Sequence, residues 1–111
     1  MIEAVCDCGA VRIECAIAPP SVTECLCTGC QKMGVLWAYY PVHAVKLVCE
    51  AGATQAYQRA EKSQDFHFCR TCGCTTHWSK HDPAAEWMGV NARLMDPADR
   101  AGAQRVVEDG P

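Results

Sequence analysis

Apolar and polar residues alternate along this chain in short runs broken by glycine and proline. Val11, Ile13, Cys15 and Ile17 fall on one side of a run, Arg12 and Glu14 on the other, which is the pattern of a half-buried strand. Pro19 and Pro20 stop it. A second strand is expected from Ser21 into a group of cysteines. Leu36-Trp37-Ala38-Tyr39-Tyr40 is aromatic-rich and ends at Pro41, as a buried strand does. Val45, Leu47 and Cys49 alternate with Lys46 and Glu50, and Gly52 supplies a turn. Further strands are expected over Thr54–Arg59, Phe66–Phe68, Thr75–Ser79 and Trp87–Asn91. The polar tail after Asp96-Pro97 reads as loose, with one helical turn around Ala98–Ala101. No segment sustains a helical period. The pattern is that of a mainly β protein, antiparallel and built of short strands and hairpins.

Length adds one constraint. The 111 residues fit one domain, 1–111, with no repeat or dividing linker. A core of that size is modest, so a metal staple would stabilise it noticeably.

Ten cysteines leave two classes open, a disulfide scaffold or a metal-binding protein. Met1-Ile2-Glu3-Ala4 has neither a basic start nor a long apolar run, so no secretory signal is read there. No stretch approaches the roughly 18 apolar residues of a membrane span. A cytoplasmic setting is expected, where reducing conditions favour thiolate–metal chemistry over disulfides. The formal net charge is −3 with no basic block, which argues against nucleic-acid and membrane-surface partners.

Seven of the cysteines form three clusters: Cys6-Asp7-Cys8-Gly9, Cys25-Leu26-Cys27-Thr28-Gly29-Cys30 and Cys69-Arg70-Thr71-Cys72-Gly73. Cys27-x-x-Cys30 and Cys69-x-x-Cys72 have metal-knuckle spacing. Cys6-x-Cys8 and Cys25-x-Cys27 are closer, and sulfurs at i and i+2 of an extended strand share one face. The adjacent glycines suit tight turns around an ion. Structural zinc takes four protein ligands, whereas catalytic zinc usually takes three and keeps a position open. Seven thiolates divide naturally into one closed and one open site. Two divalent ions on them would move the formal charge from −3 to about −6.

Other chemistries fit less well. A dithiol redox motif sits at the start of a helix in an alternating βα pattern, which is absent here. An iron–sulfur cluster also accepts four cysteines, but ligands paired in hairpins favour zinc. Cys15 and Cys49 fall on apolar strand faces and read as core. Cys74 reads as the first packed residue of the outgoing strand, with a role as metal ligand left open. His43, His67, His77 and His81 show no ligand spacing and read as surface or core.

The clusters resemble a known family. Cys6-Asp7-Cys8-Gly9-Ala10-Val11-Arg12 is similar to its opening motif, and Cys25-Leu26-Cys27-Thr28-Gly29-Cys30-Gln31-Lys32-Met33-Gly34 to its central one. Phe68-Cys69-Arg70-Thr71-Cys72-Gly73 and Gly89-Val90-Asn91-Ala92 are similar to the later motifs. The family is that of the glutathione-dependent formaldehyde-activating enzymes, which also contains the centromere protein V domain. The match runs from about Cys6 to Asp96. The resemblance implies a β-tent fold around zinc knuckles, shared with a family of Rab-interacting zinc proteins. It also implies a ligand assignment. Cys6, Cys8, Cys69 and Cys72 would hold a structural Zn2+, and Cys25, Cys27 and Cys30 a catalytic Zn2+ open to partial occupancy.

The activity so implied is that of a zinc-dependent carbon–sulfur lyase, which condenses glutathione or a related thiol with formaldehyde to S-hydroxymethylglutathione. Thiolates make a zinc ion a weak Lewis acid that suits a fourth sulfur better than hydroxide. Lys32 is a candidate donor to the developing alkoxide or to a glutathione carboxylate; the plain alternative is a solvated lysine. Trp37, Tyr39 and Tyr40 line a pocket or simply fill the core. Trp78 and Trp87 read as core. The competing function is a zinc-stabilised binding module, without catalysis, for a thiol adduct or a protein partner.

Overall fold

A computed structural model describes residues 1–58 and 64–109. Two sheets carry most of the chain. The smaller has three strands in the order β1 (Ile2–Val5), β2 (Arg12–Cys15), β5 (Val45–Val48), all antiparallel. The larger has seven, in the order β10 (Gln104–Glu108), β3 (Ser21–Cys25), β4 (Trp37–Pro41), β9 (Trp87–Asn91), β8 (Thr75–Lys80), β7 (Gln64–Cys69), β6 (Thr54–Gln58). Its neighbours are antiparallel except β10, which runs parallel to β3. The protein is mainly β, as the alternation predicts.

Successive residues of a strand point to opposite faces, and the large sheet uses both. Ala38, Tyr40, Met88 and Val90 join Ala4, Val11, Ile13 and Cys15 in the main core. Trp37, Phe66 and Trp78 point the other way and pack with Cys27, Cys30 and Val35. The small sheet covers the first face, and an isolated bridge from Ala4 to Met95 ties it to the segment after β9.

The second face is covered by α1 (Thr28–Met33), a helix that the pattern does not predict. Its six residues are too few to display a period. It is defined at its ends instead. Cys27 is the N-cap, its sulfur accepting the Cys30 N–H at 3.4 Å. Gly34 closes it at φ 66°, donating to the Cys30 and Gln31 carbonyls, in the left-handed conformation that glycine adopts without a Cβ penalty.

Several expectations need correction. The tail is not loose. A short helix, α2 (Pro97–Arg100), capped by Asp96, covers part of the expected turn, and β10 follows it. Val106 and Val107 are its only strong strand formers, and its pairing is supplied by β3. Ile17 is 60% exposed because β2 ends at Cys15. Cys49 is exposed for the same reason, lying one residue past β5. Trp87 is not core but 52% exposed, at the outer end of the β4–β9 pair beyond the second cluster. The expected strand end at Arg59 lies outside the described residues.

The Gly89-Val90-Asn91-Ala92 stretch has a plain structural reading. A Cβ on Gly89 would stand 2.0 Å from Trp78 Nε1, so the indole lies directly on the glycine backbone. Gly89→Ala is expected to cost about 1–3 kcal/mol, as overpacked sites do, and to displace Trp78 from Cys27 and Cys30. Thermal melts together with Trp78 fluorescence check this; an unshifted melting point would contradict the packing. Asn91 is buried. Its Oδ1 accepts the Leu36 and Arg93 N–H groups, each at 3.2 Å, and its Nδ2 donates to the Thr75 carbonyl at 2.8 Å. One side chain thereby locks three strand ends.

His67 and His77 stack at 4.1 Å between ring centroids. His77 is buried and hydrogen-bonded to Thr76 Oγ1 at 2.9 Å. Burial first, and the charge of His67 second, push its pKa down to about 3 from an ordinary 6.5. The folded value lies below the unfolded one. Its contribution is therefore fully present above the unfolded pKa and is lost as pH falls toward the folded one. The loss attributable to His77 is expected to be about 2 kcal/mol at pH 5. Denaturant midpoints of wild type and His77→Gln across pH 7 to 5 check it. Parallel curves would contradict it.

Candidate metal centres

The first centre is built by two hairpin turns. Between β1 and β2, the Cys6 N–H donates to the Val11 carbonyl at 3.1 Å. Between β7 and β8, the Cys69 N–H donates to the Cys74 carbonyl at 2.9 Å. Each turn therefore closes over the same five-residue step, and each carries a glycine at positive φ, Gly9 at 82° and Gly73 at 81°. Cys6 and Cys8 thus sit in a turn and not on an extended strand, which differs from the expected reason for their convergence.

The four sulfurs of Cys6, Cys8, Cys69 and Cys72 lie within 4.8 Å of one another. Cys6 to Cys8 is 3.7 Å and Cys8 to Cys69 is 3.6 Å. Metal–sulfur bonds of about 2.3 Å in a tetrahedron separate sulfurs by about 3.8 Å. Those two distances match that spacing, and the set could hold a metal ion.

Backbone N–H groups favour the thiolate form at Cys69 and Cys72, whereas Cys8, despite the Ala10 amide, is pushed up to about 12 by burial and the neighbouring sulfurs. The Cys74 and Cys8 amides bring the Cys72 thiol down to about 6. The Cys72 amide, with help from Thr71, lowers Cys69 despite opposing burial. Val11 donates to Cys6 Sγ at 3.3 Å. Cys74 packs partly buried against the main core and stays outside the four-sulfur group.

The second centre comprises Cys25, Cys27 and Cys30, whose sulfurs also lie within 4.8 Å of one another. Cys25 ends β3, Cys27 caps α1, and Cys30 lies on that helix. The parallel strand β10 holds the end of β3, with the Leu26 N–H donating to the Glu108 carbonyl at 2.7 Å. Burial, offset in part by the Trp37 N–H, pushes the Cys30 thiol up to about 12. Its sulfur accepts Trp37 Nε1–H at 3.4 Å. Trp37 is thus both core and a neighbour of the centre. These three sulfurs, with Cys25 partly exposed, could hold a metal ion.

A cavity of about 220 Å³ opens beside this centre, lined by Cys25, Cys30, Glu24, Gln31 and Arg93. Lys32 is not among its walls. It is exposed on the last turn of α1, where a cation complements the negative helix end. Tyr39 is 38% exposed and meets Trp78 edge-on at 5.9 Å between centroids. Tyr40 faces the main core and donates to the Ile17 carbonyl at 2.9 Å. No histidine joins a candidate metal group among the described residues. No disulfide joins any of the ten cysteines. No helix among the described residues is long and apolar enough to cross a membrane.

The fold and its sulfur sets define a mainly β protein with two cysteine clusters able to hold metal ions. Residues 1–107 match the model of the glutathione-dependent formaldehyde-activating enzyme family, and the chain belongs to that family. A crystal structure of a Rhodobacter sphaeroides protein is similar, at 29% identity and a TM-score of 0.76, over 94% of this chain and 98% of that one. No curated protein matches the sequence.

Proposed function

We propose that this protein is a zinc-dependent carbon–sulfur lyase that joins glutathione, or a related thiol, to formaldehyde in a reducing cytoplasm. The observation that carries the reading is the contrast between the two sulfur sets. One has four sulfurs and meets every need of a tetrahedral ion; the other has three and borders a cavity. Cys6, Cys8, Cys69 and Cys72 are proposed to hold a structural zinc. Cys25, Cys27 and Cys30 are proposed to hold a catalytic one. Family membership supports the reaction class.

When bound, the ion at the open centre supplies a position that takes a thiol as its thiolate. The chain's own groups do the rest. Cys27 and Cys30 are fixed by the helix cap and the Trp37 N–H. Trp37, Phe66, Trp78 and Val35 keep the inner side apolar. The partly exposed Cys25 marks the side from which substrate arrives. In the reaction the thiolate sulfur attacks the formaldehyde carbon. A carbon–sulfur bond forms, the carbonyl π pair moves to oxygen, and that oxygen takes up the proton released by the thiol.

Exchange NMR on mixtures of formaldehyde and glutathione tests this. The protein is expected to speed interconversion of free glutathione and S-hydroxymethylglutathione above the spontaneous rate. An unchanged rate with metal-loaded protein would retire the lyase reading and leave that of a binding module.

A further inference from the structure

Resting on that reading of the open centre, we propose that Arg93 anchors a carboxylate on the incoming thiol, so that the site selects acidic thiols over neutral ones. The polar side chains around the 220 Å³ cavity have partners, with one exception. The Glu24 carboxylate is matched by Arg105 at 2.8 Å. The Gln31 amide is committed to the Leu26 carbonyl. The sulfurs of Cys25 and Cys30 belong to the metal set. Arg93 alone remains uncommitted; its side chain makes no ion pair or hydrogen bond among the described residues. It offers five N–H donors in a planar fork that matches a carboxylate.

The backbone beneath Arg93 is fixed. The buried Asn91 Oδ1 accepts the Arg93 N–H at 3.2 Å, and the Ala92 N–H donates to the Leu36 carbonyl at 2.7 Å. A 3-10 turn over Ala92–Leu94 presents the side chain at the cavity. A rigid base lowers the entropy cost of holding a ligand.

Charge and size point the same way. Three thiolates with a divalent ion keep one net negative charge, and the whole chain carries −3. An anionic thiol is repelled by that field unless a local cation receives it, and Arg93 is the unpaired cation on the cavity wall. The cavity is smaller than the roughly 300–1,000 Å³ of drug-sized ligand sites. It suits the sulfur end of a thiol and a group a few bonds away, with the rest of a peptide left outside.

Isothermal titration of the metal-loaded protein with mercaptopropionate and mercaptoethanol tests the proposal, because these thiols differ chiefly in the carboxylate. Wild type is expected to bind mercaptopropionate about tenfold more tightly, as one charged hydrogen-bonded pair provides. In Arg93→Gln the ratio is expected to fall close to one, and Arg93→Lys keeps part of it. Equal affinities in wild type, a ratio that survives in Arg93→Gln, or no binding of either thiol would each overturn the proposal. Selective binding without faster formaldehyde exchange would uphold it while retiring the lyase reading.

Discussion

Cys69→Ser protein is expected to lose its cooperative fold. Cys69 is fully buried and belongs to the same cluster as Ala4, Val11, Ile13 and Val90. Its sulfur lies 3.6 Å from that of Cys8, so it joins a turn near the start of the chain to a turn 61 positions later. Removing it cuts the four-sulfur set to three and leaves Cys72 as the only sulfur of that set on the β7–β8 turn. Structural zinc contributes roughly 10–16 kcal/mol in small domains at neutral pH, whereas a whole domain has a net stability of about 5–15 kcal/mol. Even partial loss of metal affinity therefore consumes the margin. Far-ultraviolet circular dichroism on heating, with metal content measured in parallel, checks this. A variant that melts within a few degrees of wild type would show that the four-sulfur set is not what holds the core together.

The location of that cysteine in the main core could not be read from the sequence. Alternation gives away strands whose two faces differ, such as β2, where Ile13 and Cys15 are buried and Arg12 is exposed. It gives away β4 as well, through its aromatics. It fails where an element is too short to show a period. β1 is four residues long with a single polar position, Glu3, and α1 has one buried residue, Cys30. It fails again where pairing comes from distant chain, as for β10 on β3. The cysteine spacing marks which residues belong to knuckles. It does not reveal that one pair caps a helix, because that depends on the Cys30 N–H turning back to Cys27. The spacing expected of a dithiol motif at a helix start is therefore present locally, without the alternating βα frame. Arg93 had no signal of its own. Only the fold brings it to Cys25 and Cys30, and the neighbouring Asn91 was the one hint that this stretch holds something in place.

A Cys27→Ser variant should separate metal from fold in the opposite sense. Cys27 belongs to the second cluster, outside the main core. Its structural duty is to cap α1 by accepting the Cys30 N–H. Serine is among the preferred residues for that duty, so the helix is expected to survive, with a stability change of about 1 kcal/mol, or about 4–8 °C in melting point. The metal is expected not to survive. A serine hydroxyl is a poor substitute for a thiolate on a soft site. Two sulfurs then remain, fewer than the three or four protein ligands a zinc site takes. One metal equivalent per chain should disappear while the other stays. Catalysis of the formaldehyde–glutathione exchange should fall by about a hundredfold or more, toward the spontaneous rate. Metal analysis, melting curves and exchange NMR on the same preparation give the three readings together. Retention of both ions with full activity would remove Cys27 from the open centre. Unfolding as complete as that expected for Cys69→Ser would mean that the two sulfur sets do the same structural job, and the division between a closed and an open site would have no physical basis.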